Sequence, residues 1–303
     1  MNLYSETSHR ISRLLTNRYS TSFRLGIRAF PRPTQEAIYD LYGFVRVADE
    51  IVDTFHDYDK KSLLEKFKQD TFDAIRSGVS TNPVLEAFQH VVRKYNIKRD
   101  YIEAFLASME MDLSYQTHSQ ESYEHYVYGS AEVVGLMCLT IFCNGDDALF
   151  QDLKAPAQKF GSALQKTNFL RDIKNDLDDR GRIYLPGVTG RQGIDEAAKK
   201  RIEAEIEAEF QEALGGIKRM PGAYALAVYS VYLYYTALFK KIKKLPAGAL
   251  LQRRIRIPDF HKFLLLLQGY VVVRILWKAP GKSTGLSQSP EAAPDKGANR
   301  PIP

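Results

Sequence analysis

The sequence predicts an all-α protein, and three features carry that expectation. Apolar residues recur at helical spacing from near the N-terminus to about Trp277, as helices that bury one face require. These stretches are punctuated by turn-forming clusters at Pro31 to Pro33, Asn82-Pro83, Pro186 to Gly193, Gly215-Gly216, Pro221-Gly222 and Pro246 to Gly248, because proline and glycine end helices. Period-two alternation bounded by turns, the mark of strands, is scarce.

In chain order, Met1 to Arg10 is polar, so no secretory leader is expected. Pro33-Thr34 opens a helix with Thr34 as its cap. Cys138 and Cys143 lie five apart on an apolar helical segment, which is neither a disulfide framework nor a metal spacing, so buried thiols in a reducing cytosol are expected. The longest apolar stretch, Leu226 to Phe239, has 14 residues and many tyrosines, too short to span a bilayer. Gly269 to Ile275 is rich in Val and Ile but continues a leucine-rich helical stretch through Arg274. No fixed-period repeat or internal linker stands out, and 45% hydrophobic residues in 303 supply a substantial core. Residues 1–278 are therefore expected to form one helical domain. Residues 279–303, composed of Pro, Ser, Gly, Ala and Lys, are expected to form a disordered tail.

Two acidic runs stand out within this pattern, Asp49-Glu50-Ile51-Val52-Asp53 and Asp172-Ile173-Lys174-Asn175-Asp176. Each sets aspartates four residues apart on a helix, stacking two carboxylates on one face. Such a pair repels itself. A divalent cation such as magnesium offsets that repulsion, since it takes carboxylate oxygens and keeps room for substrate phosphates. Arg46, Asp49, Glu50 and Asp53 share one helical stripe, with Tyr42 a turn earlier. Gln165, Asn168, Asp172 and Asp176 fall within an arc of roughly 80° at about 100° per residue, while Leu170, Ile173 and Leu177 lie away from it. Two pairs on separate helices suggest two jaws of one site.

A solvated charged face is the plainer reading of either pair alone. Against it, Lys159, Lys166 and Lys174 lie opposite or beside the second stripe rather than within it. A calcium loop fails: counted from Asp172 the sixth residue is Leu177 instead of Gly, and the twelfth from Asp172 or Asp176 is Ile183 or Gly187 instead of Glu.

The run Tyr42-Gly43-Phe44-Val45-Arg46-Val47-Ala48-Asp49-Glu50-Ile51-Val52-Asp53 resembles the first aspartate-rich motif of the squalene and phytoene synthase family. Three further segments agree: Tyr19-Ser20-Thr21-Ser22-Phe23, Tyr126-Val127-Tyr128-Gly129-Ser130-Ala131-Glu132-Val133-Val134-Gly135, and Gln165 to Asp176 continuing through Arg180-Gly181-Arg182-Ile183-Tyr184-Leu185-Pro186. They occur in the family's order over about residues 10 to 275, and the likeness is greatest to bacterial phytoene synthases. The resemblance implies an isoprenoid (terpenoid) synthase helical fold with a central active-site cavity. It implies a prenyltransferase that joins two geranylgeranyl diphosphates head to head, through a cyclopropyl-carbinyl diphosphate, to phytoene. Squalene or dehydrosqualene formation from farnesyl diphosphate is the alternative.

By motif matching, Asp49, Asp53, Asn168, Asp172 and Asp176 would hold two or three magnesium ions, with Asp49, Asp53, Asp172, Asp176 and Tyr128 at the chemistry. Tyr19, Ser20, Thr21, Ser22, Phe23, Tyr42, Arg46, Gln165 and Arg171 would bind substrate. Relatives often carry an acid where this chain has Asn175 and a histidine where it has Tyr19. No Gly-rich dinucleotide fingerprint follows a strand, and phytoene formation loses a proton rather than gaining a hydride, so no NADPH is expected.

The net charge is +6 and the pI about 9.0. Much of the excess lies in Lys240, Lys241, Lys243, Lys244, Arg253, Arg254 and Arg256. A solvated basic face is the plainest reading of this run; contact with anionic lipid headgroups suits an enzyme of greasy substrates, and one or two of these arginines could instead reach the diphosphate entrance. Nucleic-acid binding is not expected, because no reader motif appears and two acid pairs would repel a phosphate backbone. The expected location is cytoplasmic, peripherally associated with membrane.

Overall fold

The computed structural model describes residues 2–20, 24, 26–114, 117–186, 188, 194–252 and 254–277. These form α1 (Leu3–Tyr19), α2 (Arg32–Asp53), α3 (Lys60–Ser77), α4 (Pro83–Tyr95), α5 (Arg99–Ser114), α6 (Gln120–Val127), α7 (Val133–Cys143), α8 (Asp147–Arg180), α9 (Glu196–Arg219), α10 (Gly222–Lys243), α11 (Ala247–Leu250) and α12 (Asp259–Val271). Wide π-helical turns join α6 to α7 (Tyr128–Glu132) and extend α12 (Val272–Leu276). Among the described residues the one isolated β pairing is a parallel bridge between Thr117 and Ile183. Thr21, Ser22, Phe23, Arg253 and the 279–303 tail lie outside the described residues.

The helix ends follow local chemistry. The side chains of Asp59, Asn82, Asp146 and Asp195 accept hydrogen bonds from backbone N–H groups in the first turns of α3, α4, α8 and α9, satisfying donors that a helix start leaves unpaired. Asn96 and Asn144 end α4 and α7 in the left-handed region, which their short polar side chains tolerate. Two expectations fail. Helix α2 begins on Pro31 and Arg32, so Thr34 is a buried first-turn residue rather than the cap. Gly215-Gly216 is not a turn but part of α9. A Cβ on Gly216 would lie 2.3 Å from Pro156 Cβ, so this glycine serves the close approach of α9 to α8.

Two apolar cores flank the long helix α8. The first gathers α2 to α5 and α7 around Phe44, whose ring stacks on Phe88 at 3.9 Å between centroids. The second gathers α6 and α8 to α12 around Phe169, Tyr184, Phe210 and Phe239. Between them the π-helical turn meets α8 closely: a Cβ on Gly161 would lie 2.6 Å from the Ala131 carbonyl oxygen. The run 120–143 is long and apolar enough to cross a membrane, with a mean hydropathy of 1.5 in its most apolar 18-residue window. In this fold it packs against α5 and α8 as a core rod. Cys138 and Cys143 are free, and burial pushes their thiols up to about 12 and about 11.

Candidate active site

The two acid pairs face each other. Arg180, at the end of α8, bridges them, with Nη2 at 3.2 Å from Asp53 Oδ2 and Nη1 at 2.8 Å from Asp176 Oδ1. Asp53 also receives Arg182 Nη1 at 2.8 Å. Asp172 accepts from Arg171 Nε at 3.0 Å and from Arg254 Nη2 at 3.3 Å, with Arg254 Nε ion-paired at 2.6 Å. Asp49 lies 3.9 Å from Arg46, which pairs more closely with Glu50. One member of the late basic run, Arg254, thus reaches the acidic site.

Crowding carboxylates into a poorly solvated cleft drives them apart electrostatically. Burial pushes Asp49 up to about 7, with Asp53 and Asp112 adding repulsion against the pull of Arg46. Asp176 is likewise pushed up to about 7, by burial and then by Asp172 and Asp53 against Arg180. Burial would also raise Asp172, but hydrogen bonds and charge from Arg171 and then Arg254 hold it below the usual carboxylate range. Each helix therefore contributes one carboxylate that gains strongly from an added cation.

The expected binding residues surround this locus. The Arg46 guanidinium lies 4.2 Å over the Tyr19 ring, a cation–π contact. Burial pushes the Tyr42 hydroxyl up to about 12, beside Arg46, Asp49, Tyr235 and a hydrogen-bonded Ser20. Asn168 Nδ2 donates to Gln165 Oε1 at 3.4 Å. Tyr235 of α10, not foreseen from sequence, adjoins Asn168, Arg171 and Asp172 and so ties α10 to α8.

Tyr128 is exposed and neighbours Tyr101 rather than standing among the hydrogen-bonded groups of the acid pairs. Tyr126 stands at the site instead: its hydroxyl donates to Asp112 Oδ2 at 2.9 Å, and Tyr184 donates to Asp112 Oδ1 at 2.8 Å. Arg182 lies 3.5 Å from Asp112 and joins this network to Asp53. The bridge at Ile183 marks extended backbone, whose period of two puts Arg182 and Tyr184 on the same side. The sequence signal was present in the Arg-Gly-Arg-Ile-Tyr stretch, whereas Asp112, one of four acids in α5 and without an acidic partner at i±4, carried none.

From the acid pairs a cavity runs along α8. Leu153, Ala157, Gly161, Leu164, Gln165 and Asn168 line it, opposed by Ile38, Val134, Val228 and Val231. Its side-chain hydroxyl and amide groups are those of Ser130, Gln165, Asn168 and Tyr235. At the far end Phe30 stacks on Phe142 at 4.9 Å, and Phe142 on Tyr224 at 5.4 Å.

The donor set suits magnesium. Asn168 Oδ1 is buried with no hydrogen-bond partner, in line with Asp172 and Asp176 on one helical stripe, and hard carboxylate and carbonyl oxygens are what that ion takes. Among the described residues no three acidic, imidazole or thiol groups converge as a finished cage; guanidinium groups interleave the carboxylates instead.

An all-α bundle enclosing a hydrocarbon-walled cavity, with acid pairs and arginines at its mouth, defines an isoprenoid synthase. The family profile described as squalene/phytoene synthase matches residues 16–261, and the chain belongs to that family of head-to-head prenyltransferases. A presqualene diphosphate synthase of Rhodopseudomonas palustris is 28% identical, over 82% of this chain and 83% of that protein. A phytoene synthase of Mycobacterium tuberculosis is 30% identical, over 60% of this chain and 58% of that protein. A crystal structure of a dehydrosqualene synthase in complex with ligand superposes with a TM-score of 0.78 at 21% identity, covering 89% of this chain and 98% of that one.

Proposed function

We propose that the protein condenses two geranylgeranyl diphosphates, through prephytoene diphosphate, to phytoene, releasing two diphosphates and two protons. The cavity carries this reading. Along α8 its lining runs from Asn168 to Leu153, fifteen residues or roughly 22 Å. An isoprene unit adds four backbone bonds, so at the reach of an extended chain four units span roughly 19 Å. The wall beside this run is built from Gly26, Ala131, Gly135, Ala157, Gly161 and Gly216, which leaves width for a prenyl chain.

Asp49, Asp53, Asn168, Asp172 and Asp176 would hold two or three magnesium ions, which when bound neutralise charge growing on the departing diphosphate. Arg46, Arg171, Arg180, Arg182 and Arg254 supply further donors for diphosphate oxygens, and Arg punctuates carboxylates so that both signs are balanced before substrate arrives. The Tyr126, Tyr184 and Asp112 hydrogen bonds fix the Arg182 side chain. Carbocation quenching by water is prevented by the apolar wall, and the faces of Phe160 and Tyr235 can stabilise positive charge.

The R. palustris relative, named a presqualene diphosphate synthase, favours farnesyl diphosphate as the second reading. Purified protein incubated with magnesium and each substrate, its products separated by chromatography, distinguishes the two. The C20 substrate should yield a C40 hydrocarbon without NADPH. Turnover of only the C15 substrate, a product halted at the cyclopropyl diphosphate, or dependence on NADPH would overturn the assignment.

A further inference from the structure

Helix α12 carries an apolar stripe turned to solvent. Phe260, Leu264, Leu267 and Val271 are 74%, 44%, 54% and 41% exposed, and their spacing places them within an arc of roughly 60°. The opposite side of the helix is packed: Leu265 and Gly269 are buried, and a Cβ on Gly269 would lie 3.2 Å from Ser230 Oγ and 3.4 Å from Leu233 Cδ1 of α10. An exposed row of large side chains on an otherwise docked helix marks a surface that meets something apolar.

We propose that this face docks on an anionic lipid bilayer. The charge around it selects that occupant. From Thr236 to Trp277 the chain carries nine Lys and Arg against the single acid Asp259. Lys240, Lys241, Lys244, Arg256 and Arg274 are exposed, and Lys241 donates to the Arg256 carbonyl oxygen at 2.7 Å, fixing the basic end of α10 beside the segment that leads into α12. A second copy would bring the same excess of positive charge against itself, whereas acidic headgroups complement it and the acyl boundary accepts the stripe. The placement is also useful. Helix α10 lies between α12 and the cavity, packing Ser230 and Leu233 outward while Val228, Val231 and Tyr235 line the interior. A membrane held on α12 is then one helix away from the hydrocarbon. That benefit rests on the product proposed above; the binding itself does not.

Flotation of the full chain with vesicles tests the docking. Phosphatidylcholine vesicles containing roughly one-third phosphatidylglycerol should carry the protein upward, phosphatidylcholine alone should not, and salt should weaken the binding as screening requires. Leu264→Asp/Leu267→Asp and, separately, Lys240→Gln/Lys241→Gln/Arg256→Gln should each reduce the bound fraction at least ~10-fold. Melting temperature and turnover of detergent-dispersed substrate should stay at wild-type values. If the aspartate variant misfolds, the glutamine variant decides alone. Absence of wild-type flotation, or equal flotation by wild type and the folded variants, would overturn the proposal. So would a dimer, seen by sedimentation, that the aspartate variant dissolves without any lipid binding. Flotation without prenyl coupling would leave the docking surface standing and remove the proposed reaction.

Discussion

The two ends of the cavity are built by opposite rules. At the mouth, four carboxylates and a set of arginines are held close, so each acid is either paired, as Asp53 is with Arg180 and Arg182, or pushed toward its neutral form, as Asp49 is. At the floor, Phe30, Phe142 and Tyr224 stack without any charge. The mouth stores electrostatic strain that a bound cation relieves; the floor stores only packing. Reaction chemistry is therefore expected to respond to changes at one end, and chain length to changes at the other.

The largest effect should come from Asp53→Asn or Asp176→Asn, which remove one face of the bridged site. Each should lower kcat/KM at least ~100-fold in steady-state assays with magnesium. Wild-type rates in either would erase the distinction between mouth and floor. Next, Asp172→Asn leaves the buried Arg171 guanidinium without its carboxylate and should cost about 3 kcal/mol in denaturant unfolding. Asp49→Asn should not destabilise, because that carboxylate repels its neighbours and gains little from Arg46 at 3.9 Å. A relief expected of any self-repelling pair thus applies to Asp49 but not to Asp172.

At the floor, Phe142→Ala should cost about 2 kcal/mol and deepen the cavity, raising the share of C25 substrate used in competition with C20. An unchanged ratio would mean that chain length is measured elsewhere. Gly161→Ala, which sets a methyl group against the Ala131 carbonyl, should cost about 1–2 kcal/mol, read from the same unfolding curves. The remaining effect is a pH dependence. Asp49 and Asp176 bind protons more tightly in the folded chain, at about 7 against a reference of 3.8. Their contribution is present below about pH 4 and is lost as pH rises through about 7. Metal-free protein should melt lower at pH 8 than at pH 5.5, and magnesium should narrow that gap.

The mouth was largely legible in the sequence, the floor hardly at all, for physical reasons. Acids at i and i+4 state their geometry locally, so Asp49, Asp53, Asp172 and Asp176 could be placed on faces before any fold was known. Phe30, Phe142, Leu153, Met220 and Tyr224 come from separate parts of the chain, and only tertiary packing unites them. Tyr126 and Tyr128 share one motif, and sequence alone does not separate them, because the π-helical turn beginning at Tyr128 departs from regular helical phase. Gly215-Gly216 looked like a turn because close helix packing and chain reversal use the same residue. The stripe on α12 was hidden in Phe263-Leu264-Leu265-Leu266-Leu267, where every position is apolar and periodicity carries no information.

Calorimetric binding of an unreactive prenyl thiodiphosphate, with and without magnesium, tests most directly whether α2 and α8 form one site. Wild type should bind tightly only with the metal, and Asp53→Asn and Asp176→Asn should lose that dependence alike. Tight binding without magnesium, or its loss in one variant but not the other, would contradict a site shared between the two helices.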